Sequence, residues 1–280
     1  MSWYRPVAVA PELRTALVCG WTARVGGGHV LVPDGCVDVM WLADGRVVVC
    51  GPETAAWPVA TPPGTECVGV RFRPGVAPDV LATPAHVMVD LRVGLDDVLG
   101  AAPARALAGR IADAASPARR LAVLMGAARR WLGDRGGIDP LVTWTARELS
   151  RRSWTIGELA DVAGLTDRHL QRRCRTAFGY PPSTLRGILR LQRFMALARA
   201  PHNAALGLAE LAHLAGYADQ AHLSHDCRRI ATMTPSELLA GQAPDWHGPA
   251  TVVEVDDGTS RGWCRIRTSA TGTGAATLVA

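Results

Sequence analysis

IGELADVAGLTDRHLQRRCRTAFGYPPSTL, from Ile156 to Leu185, and LAELAHLAGYADQAHLSHDCRRIATMTPSEL, from Leu208 to Leu238, are two copies of one pattern. They register at an offset of 52 residues as far as the Gly164/Gly216 turn and at 53 beyond it, because the second copy holds one extra residue. A repeated stretch of this length predicts a repeated supersecondary unit. In the first copy Thr155 and Glu158 form a Thr-x-x-Glu capping box, the signature of a helix start. Ile156, Leu159, Ala160 and Ala163 share a face, and Gly164 supplies the left-handed exit. Thr166 is placed to cap a second helix, along which Leu170, Cys174, Ala177 and Phe178 form an apolar stripe. Leu223, Cys227, Ile230 and Ala231 repeat that stripe in the second copy. Two short helices on a tight glycine turn make a helix-turn-helix, whose second helix can enter the major groove of DNA.

With the stripe inward, the outer face of the first unit's second helix carries Arg168, Gln171, Arg172 and Arg175. Arginine matches the paired acceptors of guanine, glutamine matches adenine, and both can take a phosphate. The corresponding face of the second unit carries Gln220, His222, Ser224, His225 and Arg228, which is polar but less basic. Between the units a helix from about Ser183 to Arg199 has Leu185, Ile188, Leu189, Gln192 and Met195 to pack and Arg186, Arg190 and Arg193 to expose. Ser183, after Pro181 and Pro182, is its expected cap.

On these residues the chain resembles the AraC-type transcription regulators, whose DNA-binding domain is a tandem of two helix-turn-helix units joined by a long helix. The resemblance spans roughly Leu141 to Leu239 and rests on Ala163-Gly164-Leu165 with His169-Leu170-Gln171-Arg172-Arg173, and on Gly216-Tyr217-Ala218-Asp219-Gln220 with Thr234-Pro235-Ser236-Glu237-Leu238. It implies base reading by Arg168, Gln171 and Arg172 in the first unit and by Gln220, Ala221, His222 and His225 in the second. Ala221 has no polar group and His225 stands where the family often has arginine, so the first unit is expected to dominate specificity. The implied partners are double-stranded DNA and RNA polymerase, with a small-molecule effector and a homodimer as further expectations. No cofactor is implied.

Charge points the same way independently. The chain carries +5 overall. Ser150 to Arg199 holds ten arginines against Glu158, Asp161 and Asp167, or +7, so the remainder is about −2. A basic segment on a mildly acidic chain marks the docking place of a polyanion. All 30 basic residues are arginine, which reflects composition and carries no functional weight.

A chain of 280 residues suits two domains of ordinary size. The expected fold class is α+β. A β-rich N-terminal sensing or dimerisation domain with helices is placed at 1–135, the all-α DNA-binding domain at 138–240, and a mobile tail at 241–280. Val30–Val32, Val37–Leu42 and Arg46–Cys50 read as strands divided by Pro33-Asp34-Gly35 and Asp44-Gly45 turns. Val68, Val70 and Phe72 alternate with Gly69, Arg71 and Arg73, as in a strand with one wet face. Thr83-Pro84 reads as a helix start, and helices are expected near 103–113 and 117–132, with Gly133–Gly137 as the linker. This half resembles the N-terminal sensing regions attached to some AraC-type regulators, through Leu31-Val32-Pro33-Asp34-Gly35-Cys36-Val37-Asp38 and Gly69-Val70-Arg71-Phe72-Arg73-Pro74-Gly75.

Cys19, Cys36, Cys50 and Cys67 lack the close pairing of a zinc site and read as buried thiols. Cys36, after a turn and between Asp34 and Asp38, is the one expected at the surface, with a raised thiol pKa. Trp21, Trp41 and Trp57 read as packing, with a shared effector pocket as the alternative. No long apolar run or signal-peptide core stands out, so a cytoplasmic protein is expected. The competing class is a DNA-binding domain fused to an enzyme, such as an alkylation-repair methyltransferase, but neither the four zinc cysteines of that class nor any catalytic set is visible. The chain is therefore read as a regulator and not as an enzyme. A weak hairpin is expected at Val252–Arg267.

Overall fold

The computed structural model describes residues 3–24, 30–58, 62–134, 137–151 and 154–241, so the expected tail and its hairpin lie outside the described residues. Among the described residues the strands are β1 (Trp3–Val7), β2 (Leu17–Arg24), β3 (Val30–Leu31), β4 (Val37–Leu42), β5 (Val47–Cys50), β6 (Trp57–Pro58), β7 (Glu66–Phe72) and, after a short helix, β8 (Arg92–Gly94). Six of them form an antiparallel sheet in the order β1-β2-β7-β4-β5-β8, while β3 pairs with β6. Asp44-Gly45 turns β4 into β5 as expected: Gly45 takes φ +91, and the Asp44 carboxylate accepts from the Arg46 amide.

One face of the sheet packs Val68, Val70 and Phe72 against α3 (Ala101–Ala112) and α4 (Pro117–Asp134), through Leu107, Ile111, Leu121 and Leu124. The other face of β7, expected to be wet, is dry. Arg71 is only 4% exposed and forms ion pairs with Asp38, directly opposite on β4, at 2.8 Å and with Asp34 at 3.1 Å. Trp21 donates from Nε1 to the same Asp38 and lies over Gly69, where a Cβ would fall 2.2 Å from the indole. The small and charged residues that suggested solvent instead make room for an indole and satisfy buried carboxylates.

Cys19, Cys36, Cys50 and Cys67 join this second face, and all are buried. The expectation of a surface Cys36 is therefore corrected. Its amide donates to the Asp34 carboxylate, which folds the turn inward, and burial, with Asp34 second, pushes the thiol pKa well up. The three tryptophans do not share a pocket. Trp21 and Trp41 lie on opposite faces of the sheet, and Trp57 on β6 lies under the Arg92 guanidinium.

Thr83-Pro84 does not open an α-helix. Only a single 3-10 turn follows at Ala85–Val87, and the Thr83 hydroxyl turns back to Leu81 O. The short helix of this region, α1 (Ala77–Leu81), lies before Thr83, with α2 (Leu95–Leu99) after β8. The 3-10 turn returns the chain to the sheet, where Met88 O lies so close to Gly51 that a Cβ there would fall 1.8 Å from it.

The remaining helices are α5 (Pro140–Arg151), α6 (Ile156–Val162), α7 (Asp167–Phe178), α8 (Pro182–Arg199), α9 (Leu208–Ala215), α10 (Gln220–Asp226) and α11 (Pro235–Gly241). They enclose a second core built on Leu159, Leu170, Ile188, Phe194, Leu223 and Leu238, which also takes in Val32 from the sheet half. The first residue of α8 is Pro182, capped by Pro181 and not by Ser183, since proline at N1 already holds a helical φ.

The two cores dock closely. Gln192 on α8, buried, donates to Pro33 O at 2.8 Å, and Ala56 donates to Ile230 O at 2.6 Å. At the bend after β7, Gly75 adopts φ +81 so near α5 and α7 that a Cβ would lie 2.3 Å from Val142 and 2.5 Å from Phe178.

Candidate nucleic-acid interface

Each unit is built as its local sequence dictates. Thr155 donates its amide to Glu158 at 2.8 Å and accepts the Glu158 amide at 3.2 Å, closing the capping box. Gly164 turns the chain at φ +66, and Thr166 caps α7 by accepting the His169 amide. Leu170, Cys174, Ala177 and Phe178 are buried, as their spacing predicts. On the other side of the same helix Arg168, Arg172 and Arg175 are exposed and Gln171 is half-buried. This face is three cations and an amide with no acid among them. Arg173 stands apart from it in an ion pair with Asp139.

The second unit repeats the plan with other residues. Glu210 accepts the Gly207 amide at the start of α9, Gly216 exits at φ +91, and Asp219 caps α10 by accepting the His222 amide at 2.7 Å. Leu223, Cys227, Ile230 and Ala231 are buried, the last three on a wider π turn that continues α10. Gln220, Ala221, His225 and Arg228 are exposed, while His222 and Ser224 are half-buried. Ser224 spends its hydroxyl on Gln220 O within its own helix.

Arg190 is not the free surface cation that the sequence suggested. Its guanidinium lies 4.3 Å over the Tyr217 ring and pairs with Asp226 at 2.6 Å. The same Nη2 is 2.9 Å from His222 Nε2, and His222 meets Tyr217 edge-on. Asp226, 4% exposed, also takes Arg229 at 2.8 Å. Burial opposes its charge, but hydrogen bonds from Arg229 and Arg190 outweigh that, and its pKa lies below the ordinary carboxylate value. This cluster ties α8 to the second unit.

Arg186, also expected to be exposed, is half-buried and donates to Trp154 O at 2.6 Å. Arg186, Arg190 and Arg193 nonetheless line one side of a cleft of about 510 Å³, facing His213 and His222. The sequence reading passed over His213 and Asp226. An acid inside the apolar stripe between Leu223 and Cys227 was the available sign of the second.

Among the described residues no group of three or more His, Cys, Asp or Glu is arranged to hold a metal, and no helix is long and apolar enough to cross a membrane.

Comparison with known families matches residues 159–241 to a helix-turn-helix domain and residues 6–94 to a domain of unknown function, DUF6597. No curated protein sequence matches the chain. Solved structures similar to it include ToxT from Vibrio cholerae, at 8% identity and TM-score 0.43, covering 79% of this chain and 97% of that one. Unsaturated fatty acid-bound ToxT of strain SCE256 shares 12% identity at TM-score 0.41, covering 79% and 93%. ToxT of strain O395 bound to (E)-4-(8-methylnaphthalen-1-yl)but-3-enoic acid shares 8% identity at TM-score 0.43, covering 85% and 99%.

Proposed function

We propose, from the AraC-type helix-turn-helix domain that the chain carries over residues 159–241, that it is a sequence-specific DNA-binding transcription regulator. In this reading α7 and α10 enter successive major-groove segments of a promoter, and the sheet-bearing half controls them. The observation that carries it is the division of α7 into a buried stripe and an open face of Arg168, Gln171, Arg172 and Arg175. That face offers the paired donors of arginine to a guanine edge and the donor and acceptor of glutamine to an adenine edge, and none of its four residues is an acid. Gln220 and His225 supply the weaker second reading surface. His222 and Arg190, held in their cluster, act by shaping α10, and Arg186 takes a backbone phosphate.

RNA polymerase is the expected protein partner, a homodimer the expected assembly, and a small molecule the expected signal.

The test is a binding titration on the operator selected from random DNA by the full chain. Arg172→Ala or Gln171→Ala should cost ~1–3 kcal/mol at that operator and relax the base preference at the positions they read. Unchanged affinity and unchanged preference would refute the assignment.

A further inference from the structure

The turn between α7 and α8, Gly179-Tyr180-Pro181, is seated against loops of the sheet half. A Cβ on Gly179 would fall 2.5 Å from Val89 and 3.0 Å from Pro52, and the Tyr180 hydroxyl lies 3.6 Å from where Gly35 would carry one. Tyr180 is 3% exposed, and its hydroxyl has no hydrogen-bond partner among the described residues. Each contact has an acid next to it in sequence: Asp34 beside Gly35, Glu53 beside Pro52 and Asp90 beside Val89. Burial first, then Asp34, with Cys36, Glu53 and Asp90, holds the Tyr180 phenol well above its ordinary pKa, so the acids face a neutral hydroxyl.

The acids of this seat outnumber their counter-ions. Asp34, Asp38 and Glu53 line one small cavity, about 30 Å³, together with Arg71, Arg92 and the Cys36 and Cys50 thiols. All three carboxylates are mostly buried, so the surplus negative charge is poorly solvated. Asp34 and Asp38 share Arg71, and each has a second donor, the Cys36 amide for Asp34 and Trp21 Nε1 for Asp38. Asp90 accepts the Thr54 amide at 2.7 Å and its hydroxyl at 2.6 Å. Among the described residues Glu53 has Arg92 as its donor, and that guanidinium also lies over the Trp57 ring. Glu53 is thus the acid least supported as an anion. Its burial outweighs Arg92 and, with Asp34 and Asp38 adding to it, pushes the carboxyl up to about 7.

We propose that these loops form a pH-responsive latch between the two halves: proton uptake by Glu53 relieves the repulsion across the seat and holds the α7–α8 turn, and proton loss loosens it. The loops move as two jaws. Asp90 donates its amide to Pro52 O, which joins the Glu53 and Asp90 loops, while the Asp34 loop is held to α8 through Gln192 and Pro33 O. Glu53 titrates near 7 when seated and near its ordinary 4.5 when exposed, so the seated form binds the proton more tightly and loosens as pH rises through that window. α7 runs directly into this turn, so the latch bears on the placement of the helix assigned to base reading, yet it is measured without DNA.

The experiment follows hydrogen exchange of the Phe178–Leu185 amides in the full-length chain. Opening of the seat, corrected for intrinsic exchange, should be about tenfold more frequent at about pH 8 than at about pH 6. Glu53→Gln, which keeps the shape of the protonated acid, should remove that difference, whereas Asp44→Asn, at an exposed hairpin tip, should keep it. Carboxyl carbon-13 NMR of the wild-type chain labelled at glutamate should show one glutamate titrating near pH 7, a result that depends on no variant folding. Equal exchange at the two pH values, a pH difference that survives in Glu53→Gln, or no glutamate titrating above about pH 6 overturns the proposal. Failure of the regulator reading in a DNA titration leaves the latch standing, and failure of the latch leaves that reading untouched.

Discussion

Asp226 receives Arg190 and Arg229 from two different elements, and removing its charge takes the one carboxylate partner from the mostly buried Arg190 and from the more exposed Arg229. Asp226→Ala should cost ~3 kcal/mol in denaturant unfolding, the effect of breaking a mostly buried pair by deleting one partner. The pH dependence has a definite sign. Because the folded-state pKa is depressed, this stabilisation is full above the unfolded value, ~3.9, and fades as pH falls through the lower folded value. Asp226→Asn should therefore flatten the fall of stability with acidification below about pH 4, as read by urea midpoints along a pH series. An unchanged profile would mean that the ion pairs contribute nothing measurable. The caps of this region were legible because Thr155 with Glu158 and Thr166 with His169 act within three residues. The Arg190 cluster was not, because its partners lie 32 and 36 residues away and i-to-i+4 patterns carry no record of them.

Among the helices, α7 and α8 both display arginine at helical spacing, yet their arginines differ in kind. Those of α7 are exposed, whereas Arg190 of α8 lies in a cage of Tyr217, His222 and Asp226. Arg175→Ala should lower the slope of log affinity against log salt by about 1 and leave thermal stability unchanged. Arg190→Ala should instead lower the melting temperature, by about 2–4 °C for each kcal/mol lost, with a smaller change in slope. A dominant salt-slope effect for Arg190 would show that the cage opens on DNA. The strands teach a similar lesson. Alternation on β7 correctly marked Val68, Val70 and Phe72 as one buried face, but alternation alone cannot tell whether a second layer covers the other, and here Trp21 and the Asp34–Arg71–Asp38 group do so.

For the molecule as a whole, the repeat disclosed the C-terminal architecture, while the manner in which the halves join was hidden. At the junction the backbone of Gly75 lies against the Val142 and Phe178 side chains, with a left-handed φ and no room for a methyl group. Gly75→Ala should destabilise the chain by several kcal/mol in unfolding titrations, through strain and overlap with Val142 and Phe178.

The sheet half grips α8 through Pro33 and the end of the second unit through Ala56. On the proposed reading, in which both units address duplex, these contacts would act as a ruler that fixes the rotational phase between the two segments. Inserting one base pair between those segments turns one relative to the other by about 34°. The intact chain should reject such a lengthened operator sharply, whereas Gln192→Leu, which severs the Pro33 contact, should tolerate it.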